Sequence, residues 1–260
     1  MSIDGSSEIM SSAVRAALGL NAGQSCVTIY GEANAVGGGA ANVPLWVPLV
    51  AWDLPAAPVG IEYASTSAND TATAGTGARR VVVEGVGPGF GAQSETVVMN
   101  GVTPVASALT WMAINSMTVQ DNATTGFGSG KTNSGDITAK VTGAGALHGF
   151  IEAAHSLSIM GRYTVPAGFT LVLNNFFVTG NKSGSPTLSF KTNRHLISPS
   201  GLFLSGVQVP MQNGLMMQLS LPASAVVIPE KFTMIFRLES VSASGLDISA
   251  GTTGFLIRNY

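Results

Sequence analysis

The run Ala78-Arg-Arg-Val-Val-Val-Glu-Gly-Val86, followed by Gly87-Pro-Gly-Phe-Gly91 and Ser94-Glu-Thr-Val-Val-Met-Asn100, decides the fold class. Three adjacent valines are stiff at χ1 and suit a pleated strand better than a helix. The Gly-Pro-Gly segment supplies a turn. A second valine-bearing run returns from it, and Asn100-Gly101 is a tight-turn dipeptide. The spacing predicts an antiparallel hairpin.

The same punctuation continues outward. Gly60 to Ser65, Val102 to Val105, Leu109 to Val119 and Asp136 to Val141 read as strands in the first half. Ser156 to Met160, Phe169 to Thr179, Thr187 to Lys191, Leu202 to Val209, Leu215 to Leu221 and Phe232 to Ser240 read as strands in the second. In Leu215 to Leu221 apolar side chains recur at every second position, the signature of a strand with one wet face. Short strands with turn residues between them predict an all-β, antiparallel β-sandwich or jelly-roll body over residues 59–260. That body forms one lobe, or two lobes divided near residue 145.

The first 58 residues read differently. Ser6 to Leu20 predicts a short N-terminal helix, capped by Ser6 or Ser7 and ended by Gly19 and Gly23. Val27, Ile29 and Tyr30 suggest a short strand. After Gly37-Gly-Gly39 comes an extended apolar segment interrupted by Pro44, Pro48, Pro55 and Pro58, which excludes a helix. Residues 1–58 are therefore expected to form an N-terminal attachment arm. Its candidate partner-anchoring surface is Trp46 and Trp52 with Leu45, Val47, Leu49 and Val50. The competing reading makes both indoles part of the body's own core.

Composition narrows the function. Only 10% of residues are charged, against roughly 25% in an average globular protein. Gly, Ala, Ser, Thr and Asn replace them, which suits a surface covered by neighbours in an assembly. The net charge of −2 offers nothing to a phosphate backbone, so no nucleic-acid partner is expected. No apolar stretch is long enough for a membrane-spanning helix, and Met1 to Met10 lack a secretory-signal pattern. The single cysteine, Cys26, has no intrachain disulfide partner.

Motifs that carry chemistry are few. His148 and His155 stand seven residues apart with only Glu152 between them, and His195 is distant, so no metal site is expected. Gly126 to Thr132 ends like a phosphate-binding loop, but Thr125 stands where its first glycine is needed. Gly75 to Arg80 lacks the third glycine of a dinucleotide fingerprint. Asp53, Asp70, Asp121, Asp136 and Asp247 lie in turn-like contexts rather than as a recognisable catalytic pair. No catalysis and no cofactor are expected. Phe127, in the glycine-rich loop Thr124 to Thr132, is the one candidate receptor-loop aromatic.

Two blocks carry a resemblance. Ala64 to Gly85 with Ser94 to Val105 resembles a block found in tailed-bacteriophage virion structural proteins, described as fiber, neck-appendage or head-decoration proteins. Gly161 to Leu173 resembles a strand-entry motif of phage fiber and baseplate sandwiches. The resemblance implies a virion protein made in the host cytoplasm, a homotrimer, and contacts with other neck, tail or capsid proteins. It leaves open a short fiber, a capsid cement protein, and a glycan-binding or sugar-cleaving receptor module that meets a host surface glycan.

Overall fold

The computed structural model describes residues 23–52, 54–122, 132–143, 145–181, 189–200, 203–212, 216–220, 226–242 and 244–259. The expected helix Ser6 to Leu20, Asp53 and the Phe127 loop lie outside them. The strands of the first part are β1 (Gln24–Val36), β2 (Val43–Pro44), β3 (Val59–Ser65), β4 (Ala78–Val86), β5 (Ala92–Val98), β6 (Val105–Trp111), β7 (Ala113–Asn122), β8 (Ile137–Val141) and β9 (Leu147–Ile151). Those of the second are β10 (Arg162–Thr164), β11 (Phe169–Leu173), β12 (Asn175–Asn181), β13 (Ser189–Ile197), β14 (Phe203–Gln212), β15 (Met216–Ser220), β16 (Val227–Ile228), β17 (Thr233–Val241) and β18 (Leu246–Arg258).

The described chain is all-β, and its strands form four antiparallel sheets rather than the two of a single jelly roll. The founding hairpin is present: β4 pairs with β5 from Arg80 opposite Val98 to Val86 opposite Ala92. It joins β7 in a three-stranded sheet, which faces the four-stranded sheet β6-β3-β8-β9. Their inner faces enclose a core that holds Tyr63, Val81, Val83, Trp111, Met117 and Ile137. A second core lies between β15-β12-β18-β11-β16, with β1 on β18, and β10-β17-β13-β14, with β2 on β17. There Phe176 and Phe236 meet from the two sheets, ring centres 5.5 Å apart.

The path of the chain corrects the expected division. β1 pairs with β18 along nearly its whole length, and β2 pairs with β17, so residues 24–44 are built into the second core. The chain crosses to the first core between Leu45 and Trp46 and returns after Met160. One lobe is thus inserted into the other, with boundaries at 45/46 and about 160 rather than at 58 and near 145. Both crossings meet at one point. Leu45 N donates to Phe236 O at 3.0 Å, Phe236 N to Gly161 O at 2.8 Å, and Gly161 N to Tyr30 O at 2.9 Å. Gly161 has φ +59°, and a Cβ there would sit 2.3 Å from Leu45 O. Glycine is required by both the backbone conformation and the space.

Candidate functional site

The expected anchor is largely interior. Leu45, Trp46 and Trp52 are 0%, 0% and 2% exposed. The proline-rich segment folds back because two indoles release more free energy buried than exposed. Trp46 Nε1 donates to Val50 O at 2.8 Å, closing a tight turn in which Leu49 takes φ +52°. Val47 and Leu49 are half-buried, and Val50 alone of the six is exposed, at 42%. Val47 lines a shallow recess with Phe150, Leu157 and Ile159.

Both indoles meet Arg162, at the start of β10. Its guanidinium carbon is 4.6 Å from the Trp46 ring centre and 4.4 Å from that of Trp52. Nη2 donates to the carbonyl of His148. His148 sits edge-on to Trp52, ring centres 6.1 Å apart. No carboxylate pairs with Arg162 among the described residues, so the two π faces and the carbonyl hold the cation. Burial pulls the Arg162 pKa down to about 9. Burial, then the Arg162 charge, pull His148 down to about 4. His148 is therefore a neutral core histidine. His155 is separate from it, its Nδ1 3.0 Å from Ala153 O. His195 lies on β13. Among the described residues no group of three or more metal-ligating side chains gathers.

The loop of the resembling block has its own organiser. Asp70 is fully buried. Oδ1 accepts Ala78 N at 2.7 Å and Ser134 N at 2.8 Å; Oδ2 accepts Ser65 Oγ at 2.5 Å and Gly135 N at 2.9 Å. One carboxylate thus ties the Ser65–Gly77 loop to the segment before β8. Glu95, on β5, accepts Tyr63 Oη at 2.9 Å, Ser107 Oγ at 2.6 Å and Ala108 N at 3.1 Å, linking the two sheets of the first lobe. Burial and Glu95 raise the Tyr63 pKa, so the phenol stays a donor. Asp121 forms an ion pair with Arg80. These acids serve architecture.

A groove of about 690 Å³ opens between the lobes. β1 supplies Ser25 to Thr28, β4 Glu84 and Gly85, β5 Gln93 and Ser94, β7 Asn115 and Ser116, and the β10 region Tyr163 and Pro166. Asn115 fixes the seam. Its Nδ2 donates to Thr164 O and its Oδ1 accepts Thr164 N, both at 2.8 Å, which imitates a strand pair across the lobes. Ser116 Oγ donates to Glu84 Oε2 at 3.0 Å. Burial and the Glu84 charge push the Tyr163 pKa up to about 12. Sequence reasoning missed this groove and the Arg162 clasp because each is assembled from strands far apart in the chain. The one local signal was Arg162 itself, a charged residue at the entry to an apolar strand.

No protein-family model matches the chain, and no curated protein matches it. Among solved structures, the PBSX exported protein XepA aligns at 12% identity over 87% of this chain and 86% of that one, with TM-score 0.22. The infectious bursal disease virus VP2 subviral particle aligns at 11% identity over 90% and 72%, with TM-score 0.24. Likeness at those scores carries no argument about fold or function.

Proposed function

We propose that this chain is a structural protein of a tailed-bacteriophage virion, a short fiber attached at the neck or tail, acting as a homotrimer and without catalysis. The observation that supports the reading is the deployment of its scarce charge. In a chain with 10% charged residues, Asp70, Glu95 and the Arg80–Asp121 pair bind loops and sheets together. Few charges are left outside, Glu84, Lys140, Asp247 and Arg258 among them, and a surface so sparsely charged is suited to burial against other subunits. Its partners in this reading are further copies of itself and neighbouring virion proteins, with no nucleic acid and no membrane.

Quantitative mass spectrometry of purified particles tests it. A fiber is present at the level of one ring of appendages. Copies matching the capsid lattice would assign a cement protein instead, and absence from particles would overturn the virion reading. Sedimentation equilibrium of the purified chain checks the trimer; a monomer at all concentrations would remove it.

A further inference from the structure

We propose that the groove between the two lobes is a binding site for a neutral, polyhydroxylated ligand, a short glycan segment. Such binding does not depend on where the protein sits on a particle.

The groove's volume, about 690 Å³, falls within the roughly 300–1,000 Å³ of small-molecule sites, which favour the seams between structural units. Its walls come from both lobes, and the seam beneath is fixed by the paired Asn115–Thr164 hydrogen bonds, with Thr164 held in turn on its own sheet by Thr233 Oγ1 at 2.8 Å. A site held this way loses little freedom on binding.

The lining sets the ligand's charge. Glu84 is the one acidic side chain there, and no lysine, arginine or histidine lines the groove. A phosphate, a sulfated sugar or a sialic acid would meet like charge with nothing to compensate it. A neutral polyol meets complementary groups. The second carboxylate oxygen of Glu84 has no protein donor among the described residues, and a hydroxyl donated to a carboxylate makes a short, strong hydrogen bond. Tyr163, held neutral, offers its phenol as donor or acceptor. Ser94 and Thr28 add hydroxyls, while half-buried Tyr163 and Val27 supply the apolar surface that C–H-rich sugar faces need.

Cys26 supplies the reporter. It is exposed, lines the groove and is the only cysteine. The full chain is screened on an array of neutral and acidic glycans with an uncharged peptide as control. Each hit is then tested for protection of Cys26 from iodoacetamide. The expected result is binding of neutral glycans, slowed alkylation, and affinity weakened roughly tenfold or more in Glu84→Gln, from loss of a hydrogen bond to a charged group. Glu84 is exposed, and circular dichroism verifies that the variant folds. The proposal is overturned by no neutral-glycan binding, by binding that neither protects Cys26 nor responds to Glu84→Gln, or by binding confined to acidic glycans or the peptide.

Discussion

The guanidinium carbon of Arg162 stands 4.4 Å from the ring centre of Trp52. With the Trp46 ring centre at 4.6 Å, the cation contacts two π systems where the chain passes between lobes. Planarity is what the site uses. A guanidinium can lie against both rings and still donate to the His148 carbonyl; an ammonium is a compact, strongly hydrated charge. Arg162→Lys is therefore expected to lose about 3 kcal/mol, the range for a buried charge stripped of its partners. Arg162→Met should lose less, because it also removes the charge. Urea unfolding of the three proteins decides; a lysine variant more stable than the methionine variant would refute the stacking argument.

His148 makes stability depend on pH. Its folded pKa is about 4 against 6.5 for the free side chain. Between those values the unfolded chain binds more protons than the folded one, so stability falls as pH drops from 6.5 to 4. Above 6.5 the contribution is complete. The loss attributable to this residue is on the order of 3 kcal/mol at its fullest. Carboxylates titrate in the same window, so the measurement is a difference: wild type minus His148→Asn, unfolded in urea across that range. A difference that stays flat would show that the imidazole charges freely.

Trp46→Ala and Trp52→Ala each empty a large buried volume. The expected cost is about 3–5 kcal/mol each, seen as a fall of several degrees in melting temperature. An unchanged melting temperature would return the indoles to the surface.

The parts of this fold that were legible in sequence are those whose contacts are local. The Ala78–Val98 hairpin could be read because its valines, turn glycines and return strand are contiguous. The longest missed strand, Leu246–Arg258, is central: it pairs with β1 on one side and with β11 and β12 on the other. Gly251 and Gly254 spoil its alternation, yet they are there because the Phe177 ring and Val172 O leave no space for a Cβ. The expected single strand Leu109 to Val119 changes sheets at Met112, between β6 and β7, and no residue pattern marks such a switch. The same blindness hid the site. Arg162, Trp46, Trp52 and His148 meet only after two lobes have formed, and the groove draws on six separate strands.

Gly161→Ala tests the crossing point. The new Cβ would demand φ +59° and would lie 2.3 Å from Leu45 O. Backbone must move, and the hydrogen bonds through Phe236 and Tyr30 move with it. The cost should exceed the ~1 kcal/mol that separates alanine from glycine at a compatible position. Guanidinium unfolding measures it, and a loss below that figure would mean the two crossings are not locked together.

Asp70 offers the sharpest local test. Its two oxygens accept four donors from Ser65, Ala78, Ser134 and Gly135 while fully buried. Replacing one oxygen by an amide nitrogen turns an acceptor into a donor that faces other donors. With that nitrogen on the Oδ1 side, the N–H groups of Ala78 and Ser134 are both opposed; on the Oδ2 side, the Ser65 hydroxyl can turn to accept from it and Gly135 N–H alone is opposed. Asp70→Asn should therefore take the second flip and destabilise by about 1–3 kcal/mol, with the remaining contacts weakened by loss of the charge. Global stability alone would not show where the damage lies. Amide exchange would: protection at Ala78, Ser134 and Gly135 should fall, while residues of β17 and β18 in the other lobe keep theirs. Uniform loss across both lobes would mean that Asp70 supports the whole body rather than its loop. Unchanged exchange at those three amides would mean that the carboxylate does not hold them.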